Sequence, residues 1–494
     1  MKRALLLLGI LAALLAAGRP GDSVFTQTGR TPDAQRIARI ENGLLSPVAI
    51  QGQPARAFTL ASRMEHYNVP GVSIAFFDHG QIAWTRSYGF ADVASKKPVN
   101  PDTIFEAGSI SKPTTALAAL HLVQEGKLDL DQDVNQKLVA WKVPENEFTE
   151  EQKVTLRRIL SHSAGLIVHG FPGYAADESV PSILQILNGE KPANTAPIRV
   201  DVVPGTVWRY SGGGYLILQL LLTETTHEPF PQLLQELVLG PVGMTHSVFD
   251  QPLLASLRST AATPYGANGD PVKGGAHTYP EMAAAGLWTT PSDLAKMAIE
   301  VQAEFAGKSG KILSQAMTKQ MLSVQKDPSG LGFFVQEESG GPRFGHEGDD
   351  EGFVADLVAY TAGSGQGVAI MTNANRGADL IPEIVRAVAK EYAWPDFHPK
   401  ERIVAKVAPA VLQTYAGQFE IPGVAKLTIS FKDGRLFVQN TGDSDVDEMF
   451  PESDTRFFIL SQDIVVDFVR DEKQAVTKLV IQIEGQTLEA KRNP

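Results

Sequence analysis

The chain has 494 residues, more than one hydrophobic core usually supports, so two domains are expected. With 43% hydrophobic and 20% charged residues it has neither the polarity of a disordered chain nor the long apolar runs of a membrane bundle. A net charge of -12 with no offsetting basic run excludes nucleic acid and anionic lipid as main partners, and the lack of any cysteine excludes disulfides, thiolate metal sites, thiol nucleophiles and a lipoprotein anchor.

Met1-Lys2-Arg3 precedes an apolar stretch from Ala4 to Ala17 that is shorter than the about 20 residues a membrane span needs. Followed by Gly18-Arg19-Pro20, it predicts a cleaved secretory signal over 1–18, a periplasmic or secreted protein and no stable membrane anchor after cleavage. Gly71 to Phe77, a turn at Asp78-His79-Gly80, and Gln81 to Trp84 read as an antiparallel hairpin. Next comes Phe105-Glu106-Ala107-Gly108-Ser109-Ile110-Ser111-Lys112-Pro113, leading into a helix over Ser111–Gln124 that Gly126 should stop. Spacing i, i+3 puts Ser109 and Lys112 on one helix face. A serine hydroxyl needs a base within reach, which a desolvated lysine supplies, and a helix N-terminus suits a developing oxyanion. A solvated helix start is the plainer reading of this tetrapeptide.

His162, between Leu160 and Leu166 at a helix end, reads as a structural histidine. Gly212-Gly213-Gly214 follows Tyr210-Ser211, lacks the Lys-Ser/Thr of a phosphate loop and reads as a flexible site wall, with helices over 216–222 and 292–301 beyond it. Arg343-Phe344-Gly345-His346-Glu347-Gly348 leads into two strands, 353–360 and 367–371, joined at Gly363-Ser364-Gly365. His162, His169 and His346 raise a Ser–His–acid or metal site, yet no Gly-x-Ser-x-Gly elbow and no His-Glu-x-x-His accompanies them. After Trp394-Pro395-Asp396-Phe397-His398-Pro399 the pattern turns to short alternating segments: 426–431, 435–438, 457–459, 465–469 and 479–481.

In their order, Ser109-x-x-Lys112, Tyr210-Ser211-Gly212 and His346-Glu347-Gly348 resemble the three signatures of β-lactamase and penicillin-binding-protein-like serine hydrolases, which include class C β-lactamases, DD-carboxypeptidases, D-aminopeptidases and esterases. Leu160-Ser161-His162-Ser163-Ala164-Gly165-Leu166, Gly240-Pro241-Val242-Gly243-Met244, the segment 284–294 and Met371-Thr372-Asn373 resemble further landmarks of that family. The likeness spans Ile37 to Ala393, and the tail from Tyr415 is similar to a lipocalin-like domain. It implies an α+β fold of α/β-sandwich type: an antiparallel sheet flanked by helices with an all-helical insertion, over 35–398, followed by an antiparallel β-barrel-like domain over 408–494. By position it implies Ser109 as acylated nucleophile, Lys112 as base partner, Tyr210 as proton relay and His346 in the third-motif place. The oxyanion hole would be the backbone N–H groups of Ser109 and Asp349, with Ser211, Gly212, Glu347 and Gly348 lining the substrate. No metal or organic cofactor is implied. Beside Tyr210, the Lys112 ammonium is expected to lower the phenol's pKa.

Two departures bear on substrate. Gly212 stands where the family has Asn, and an acidic run, Asp349-Asp350-Glu351, follows a His-Glu-Gly in place of Lys-Thr-Gly. The first removes a side-chain amide that would bind the substrate's amide, and the second disfavours ligands bearing a carboxylate. The expectation is therefore an exported serine hydrolase forming an acyl-enzyme on small-molecule ester, amide or D-amino-acid peptide substrates. A true class C β-lactamase or D-alanyl-D-alanine carboxypeptidase, and a non-catalytic cell-envelope binding protein, are the alternatives. Which acyl group is used, and the oligomeric state, stay open.

Overall fold

A computed structural model describes residues 28–29, 34–442, 445–483 and 485–493; the signal-peptide expectation for 1–18 lies outside the described residues. One sheet organises residues 34–400. Its strands are β1 (Gly71–Asp78), β2 (Gln81–Asp92), β3 (Phe334–Gln336), β4 (Arg343–Asp350), β5 (Phe353–Tyr360) and β6 (Gly367–Thr372). They run in the order β2-β1-β6-β5-β4-β3, with Thr28–Gly29 added beyond β2, and every pairing is antiparallel.

Both faces of this sheet are covered, which is why its central strands read as unbroken apolar runs. Ala75, Phe77, Leu357, Ala369 and Met371 face a core that includes the helices α1 (Ser111–Gln124), α2 (Gly212–Thr226) and α3 (Pro291–Phe305). Ile74, Phe76, Val354, Val358 and Ile370, offset by one residue, face the opposite way against α4 (Gly377–Tyr392). Ser111 through Leu120 of α1 are all buried, so this helix is enclosed on every side by the sheet and the helical insertion between β2 and β3.

From Gly417 on, eight strands form a closed barrel: β7 (Gly417–Ile421), β8 (Ala425–Lys432), β9 (Arg435–Asn440), β10 (Asp447–Pro451), β11 (Arg456–Phe458), β12 (Val465–Arg470), β13 (Val476–Ile483) and β14 (Gln486–Arg492). Pairing of Phe419 with Arg492 closes it, so no sheet edge is left exposed. Phe419, Ile429, Leu436, Phe457, Phe468 and Leu479 fill its interior. The two bodies meet along a seam. There Lys400–Arg402 pairs in parallel with Val48–Ile50, and Val48 packs on the barrel residues Phe458 and Val465.

The three glycines at 212–214 depart from the sequence reading. They form the buried first turn of α2 rather than a flexible wall. A Cβ on Gly212 would lie 3.0 Å from both the His169 carbonyl oxygen and a Phe171 ring carbon, and one on Gly213 would lie 2.7 Å from Ile198 Cδ1. They are glycine because neighbouring chain packs against bare backbone.

Candidate active site

Ser109 sits on a single 3₁₀ turn, Gly108–Ile110, that runs directly into α1. The Ser111 hydroxyl pins this turn: it donates to the Gly108 carbonyl at 2.7 Å and accepts from the Leu287 amide at 3.0 Å. One helical turn after Ser109, Lys112 points back to it. Its Nζ donates to Ser109 Oγ at 2.8 Å and to the Ala284 carbonyl at 2.9 Å. Lys112 is 2% exposed, and burial pushes its pKa down to about 7, opposed by Asp350. A lysine so placed is divided between ammonium and free amine near neutrality.

Tyr210 closes the other side. The loop that carries it is fixed from below by His162, whose Nδ1 accepts the Ser211 N–H at 3.1 Å and whose ring stacks on Tyr210 at 4.3 Å. His162 is thus structural, as its sequence setting suggested, and it also orients the tyrosine. Lys112 Nζ lies 5.0 Å from the Tyr210 ring centroid. The expected fall in the phenol's pKa is not seen. Burial drives it well up, with a Ser109 hydrogen bond opposing and Glu347 and Asp350 reinforcing. Enclosure of the ring outweighs the neighbouring ammonium.

His346 is brought to the same place from β4. Its Nδ1 donates to the Glu347 carbonyl at 2.5 Å and its ring stacks on Phe334 at 4.5 Å. Burial, with Lys112, pushes its pKa down to about 3, so the ring is neutral and its buried Nε2, an acceptor, has no hydrogen-bond partner among the described residues. His169 leans on Tyr210 at 4.7 Å and is likewise held below the usual histidine range by burial and then Lys112.

The backbone groups of the expected oxyanion hole are adjacent. β3 pairs with β4 only as far as Gly345, and beyond it the Gly108 turn lies against β4 instead. A Cβ on Gly348 would stand 1.9 Å from the Ala107 carbonyl oxygen and 3.3 Å from the Ser109 amide nitrogen, so only glycine permits this approach. Along β4 the side chains alternate: Glu347 and Asp349 are exposed, whereas His346, Gly348 and Asp350 are buried.

The acidic run therefore divides. Asp350 turns inward beneath the site, 4% exposed, beside Glu106, 1% exposed. Burial drives both carboxyl pKa values well up, Glu106 adds to the rise at Asp350, and Glu106 Oε2 and Asp350 Oδ2 lack hydrogen-bond partners among the described residues. Asp349 reaches solvent with its side chain, yet the protein crowded around it, and then Glu351, raise its pKa to about 6. Nothing in local spacing marks Glu106 or pairs it with Asp350, 244 positions on.

Among the described residues no group of three or more His, Cys, Asp or Glu is arranged to hold a metal ion.

A family model described as Beta-lactamase matches residues 58–391, and one described as a domain of unknown function, DUF3471, matches residues 401–492. Protein flp of Staphylococcus aureus (strain MRSA252) is 29% identical over 187 residues, 37% of this chain, and the chain spans 36% of the length of that relative. Among solved structures, the octameric penicillin-binding protein homologue from Pyrococcus abyssi superposes with a TM-score of 0.60 at 21% identity, covering 87% of this chain and 98% of that one. SurE, solved with D-Leu, superposes with a TM-score of 0.52 at 20% identity, covering 88% and 97%.

Proposed function

The chain belongs to the beta-lactamase family, and from that premise we propose that it is an exported serine hydrolase that acylates Ser109 and acts on uncharged esters or amides, D-amino-acid amides included. The observation that carries this reading is the 2.8 Å contact from the buried Lys112 Nζ to Ser109 Oγ, and burial, which pushes the amine's pKa down to about 7, supports it. In the attack step the free amine of Lys112 takes the Ser109 proton as Oγ bonds to the carbonyl carbon. The N–H groups of Ser109 and Asp349 receive the oxyanion. Tyr210, kept protonated by burial, then hands its proton to the leaving group and recovers one through Lys112. The raised phenol and lowered amine favour Lys112 over Tyr210 as first base.

The preference for uncharged substrates rests on His346. A neutral imidazole with a pKa near 3 offers a carboxylate no ion pair. Gly212 supplies no side-chain amide either. Both features disfavour the β-lactamase and DD-carboxypeptidase readings. SurE, which shares the fold, was solved with D-Leu, and this supports placing D-amino-acid amides in the substrate panel.

The test is fluorophosphonate labelling of wild type and Ser109→Ala, with turnover of esters, D- and L-amino-acid amides and a chromogenic cephalosporin. Labelling and ester turnover that vanish in Ser109→Ala uphold the reading. Labelling retained at another serine, or no labelling in wild type as a non-catalytic binding protein would show, overturns it.

A further inference from the structure

A cavity lies at the seam between the two domains, on the α4 side of the sheet and away from α1 and Ser109. It encloses about 690 Å³, within the size of small-molecule sites. One wall is α4, with Asp379 and Arg386. The floor is the linker strand with Lys400 and Arg402, and the facing wall is the barrel, with Gln482 and Thr487.

Charge pairing in this cleft is uneven. Asp379 accepts from Arg376 at 3.0 Å, and Asp463 accepts from Lys400 at 3.2 Å and Arg402 at 2.8 Å. Behind the wall, Glu383 is engaged by Arg63 at 2.7 and 2.8 Å and by the Tyr67 hydroxyl at 3.0 Å. Arg386 has no such partner among the described residues. Its Nε donates to the Leu45 carbonyl at 2.7 Å, and no carboxylate hydrogen-bonds its guanidinium. Burial pushes its pKa down to about 10, opposed by Glu383 and Tyr67. A guanidinium withdrawn from water without a paired anion is costly, and its planar fork suits a carboxylate or phosphate.

We propose that this cleft is a second ligand site, in which Arg386 and Lys400 bind the head group of a small carboxylate- or phosphate-bearing molecule while Gln482 and Thr487 hydrogen-bond its polar body. The walls come from both domains, so a ligand here braces the barrel against the hydrolase domain. The site is independent of the chemistry at Ser109.

Full-length protein is titrated by calorimetry with inorganic phosphate and, separately, with succinate, at constant ionic strength set with chloride. At least one anion is expected to saturate at one per chain with a Kd of about 1 mM or tighter. Arg386→Gln should weaken it about tenfold, the loss of one charge-assisted contact. Lys400→Gln, an exposed change that leaves the Leu45 contact intact, should weaken it roughly threefold and carries the test if the Arg386 variant fails to fold. Which of the two anions saturates identifies the head group. Saturation by neither, or affinity unchanged in every variant that folds, overturns the proposal.

Discussion

A methyl group on Gly108 would stand 2.5 Å from the amide nitrogen of Asp349, so the turn bearing Ser109 and the strand bearing His346 meet backbone to backbone. Gly108 also has φ +50°, a conformation most residues resist.

That contact predicts the outcome of Gly108→Ala. The added carbon must push the turn and β4 apart by several tenths of an ångström, moving the Ser109 and Asp349 N–H groups out of register. Loss of one oxyanion donor costs about 10² to 10³ in kcat. For a small ester, kcat should fall by that factor with KM little changed, while α1 remains helical by circular dichroism. A KM effect alone would show that these amides do not act in the transition state.

Lys112 gives a prediction about pH. The deprotonated amine is the reactive form, so kcat/KM should rise as pH passes about 7 and level off above it. Stability follows the same shift. A folded pKa below the unfolded value means the unfolded chain binds more protons between about 7 and 10.5, so this residue destabilises the fold most at low pH and progressively less as pH rises through that window. Lys112→Met should therefore be inactive yet gain thermal stability relative to wild type at pH 6, with the gap narrowing toward pH 10. Lys112→Arg should stay at least about 10² below wild type in kcat because guanidinium keeps its proton. Near-normal turnover in Lys112→Arg would make the residue a structural cation.

What the sequence makes legible follows the range of the interaction. Ser109 and Lys112 are three residues apart on one helix, and the β5–β6 hairpin turns at glycines with φ +62° and +73°, so local spacing suffices for both. Tyr210 and His346 lie about 100 and 240 positions from Ser109, and only the resemblance to a family joins them to it. Burial is where local reading stops. The rise at Tyr210, the inward turn of Asp350 against Glu106 and the packing of Gly212 all depend on chain brought from elsewhere. In the barrel, β7, β10 and β14 escape the pattern because they are short or mostly polar; β14 reads Gln-Thr-Leu-Glu-Ala-Lys-Arg.

The inward turn of Asp350 separates it from Asp349 experimentally. Asp349, with a pKa of about 6, is ionised at pH 7.5, whereas Asp350 is turned away from the substrate and burial beside Glu106 drives its carboxyl pKa well up. With matched neutral, amine-bearing and carboxylate-bearing substrates, Asp349→Asn should raise relative kcat/KM for the carboxylate roughly fivefold at low salt, the yield of about 1 kcal/mol. Asp350→Asn should leave the ranking of the three substrates unchanged. A carboxylate preference in wild type, or a shifted ranking in Asp350→Asn, would refute this division of the acidic run.

Gly212 permits a direct test of whether the family's missing amide can be restored. The position is not vacant: the Gly212 N–H donates to the His169 carbonyl at 2.8 Å, and the Phe171 ring closes over the same spot. An asparagine would bring its Cβ to 3.0 Å from both, and one of those neighbours is backbone that cannot turn aside. Overpacking of this kind costs about 1 to 3 kcal/mol. Gly212→Asn should lower Tm and leave hydrolysis of a chromogenic cephalosporin at the wild-type level, because its amide cannot take up position without displacing the 169–171 segment. Adding Phe171→Ala should recover part of the lost stability but not create cephalosporin turnover, since the His169 carbonyl still blocks the way and His346 still offers no cation. If Gly212→Asn alone keeps the wild-type Tm and gains tenfold or more against the cephalosporin, the segment is softer than its packing implies and the β-lactamase reading returns.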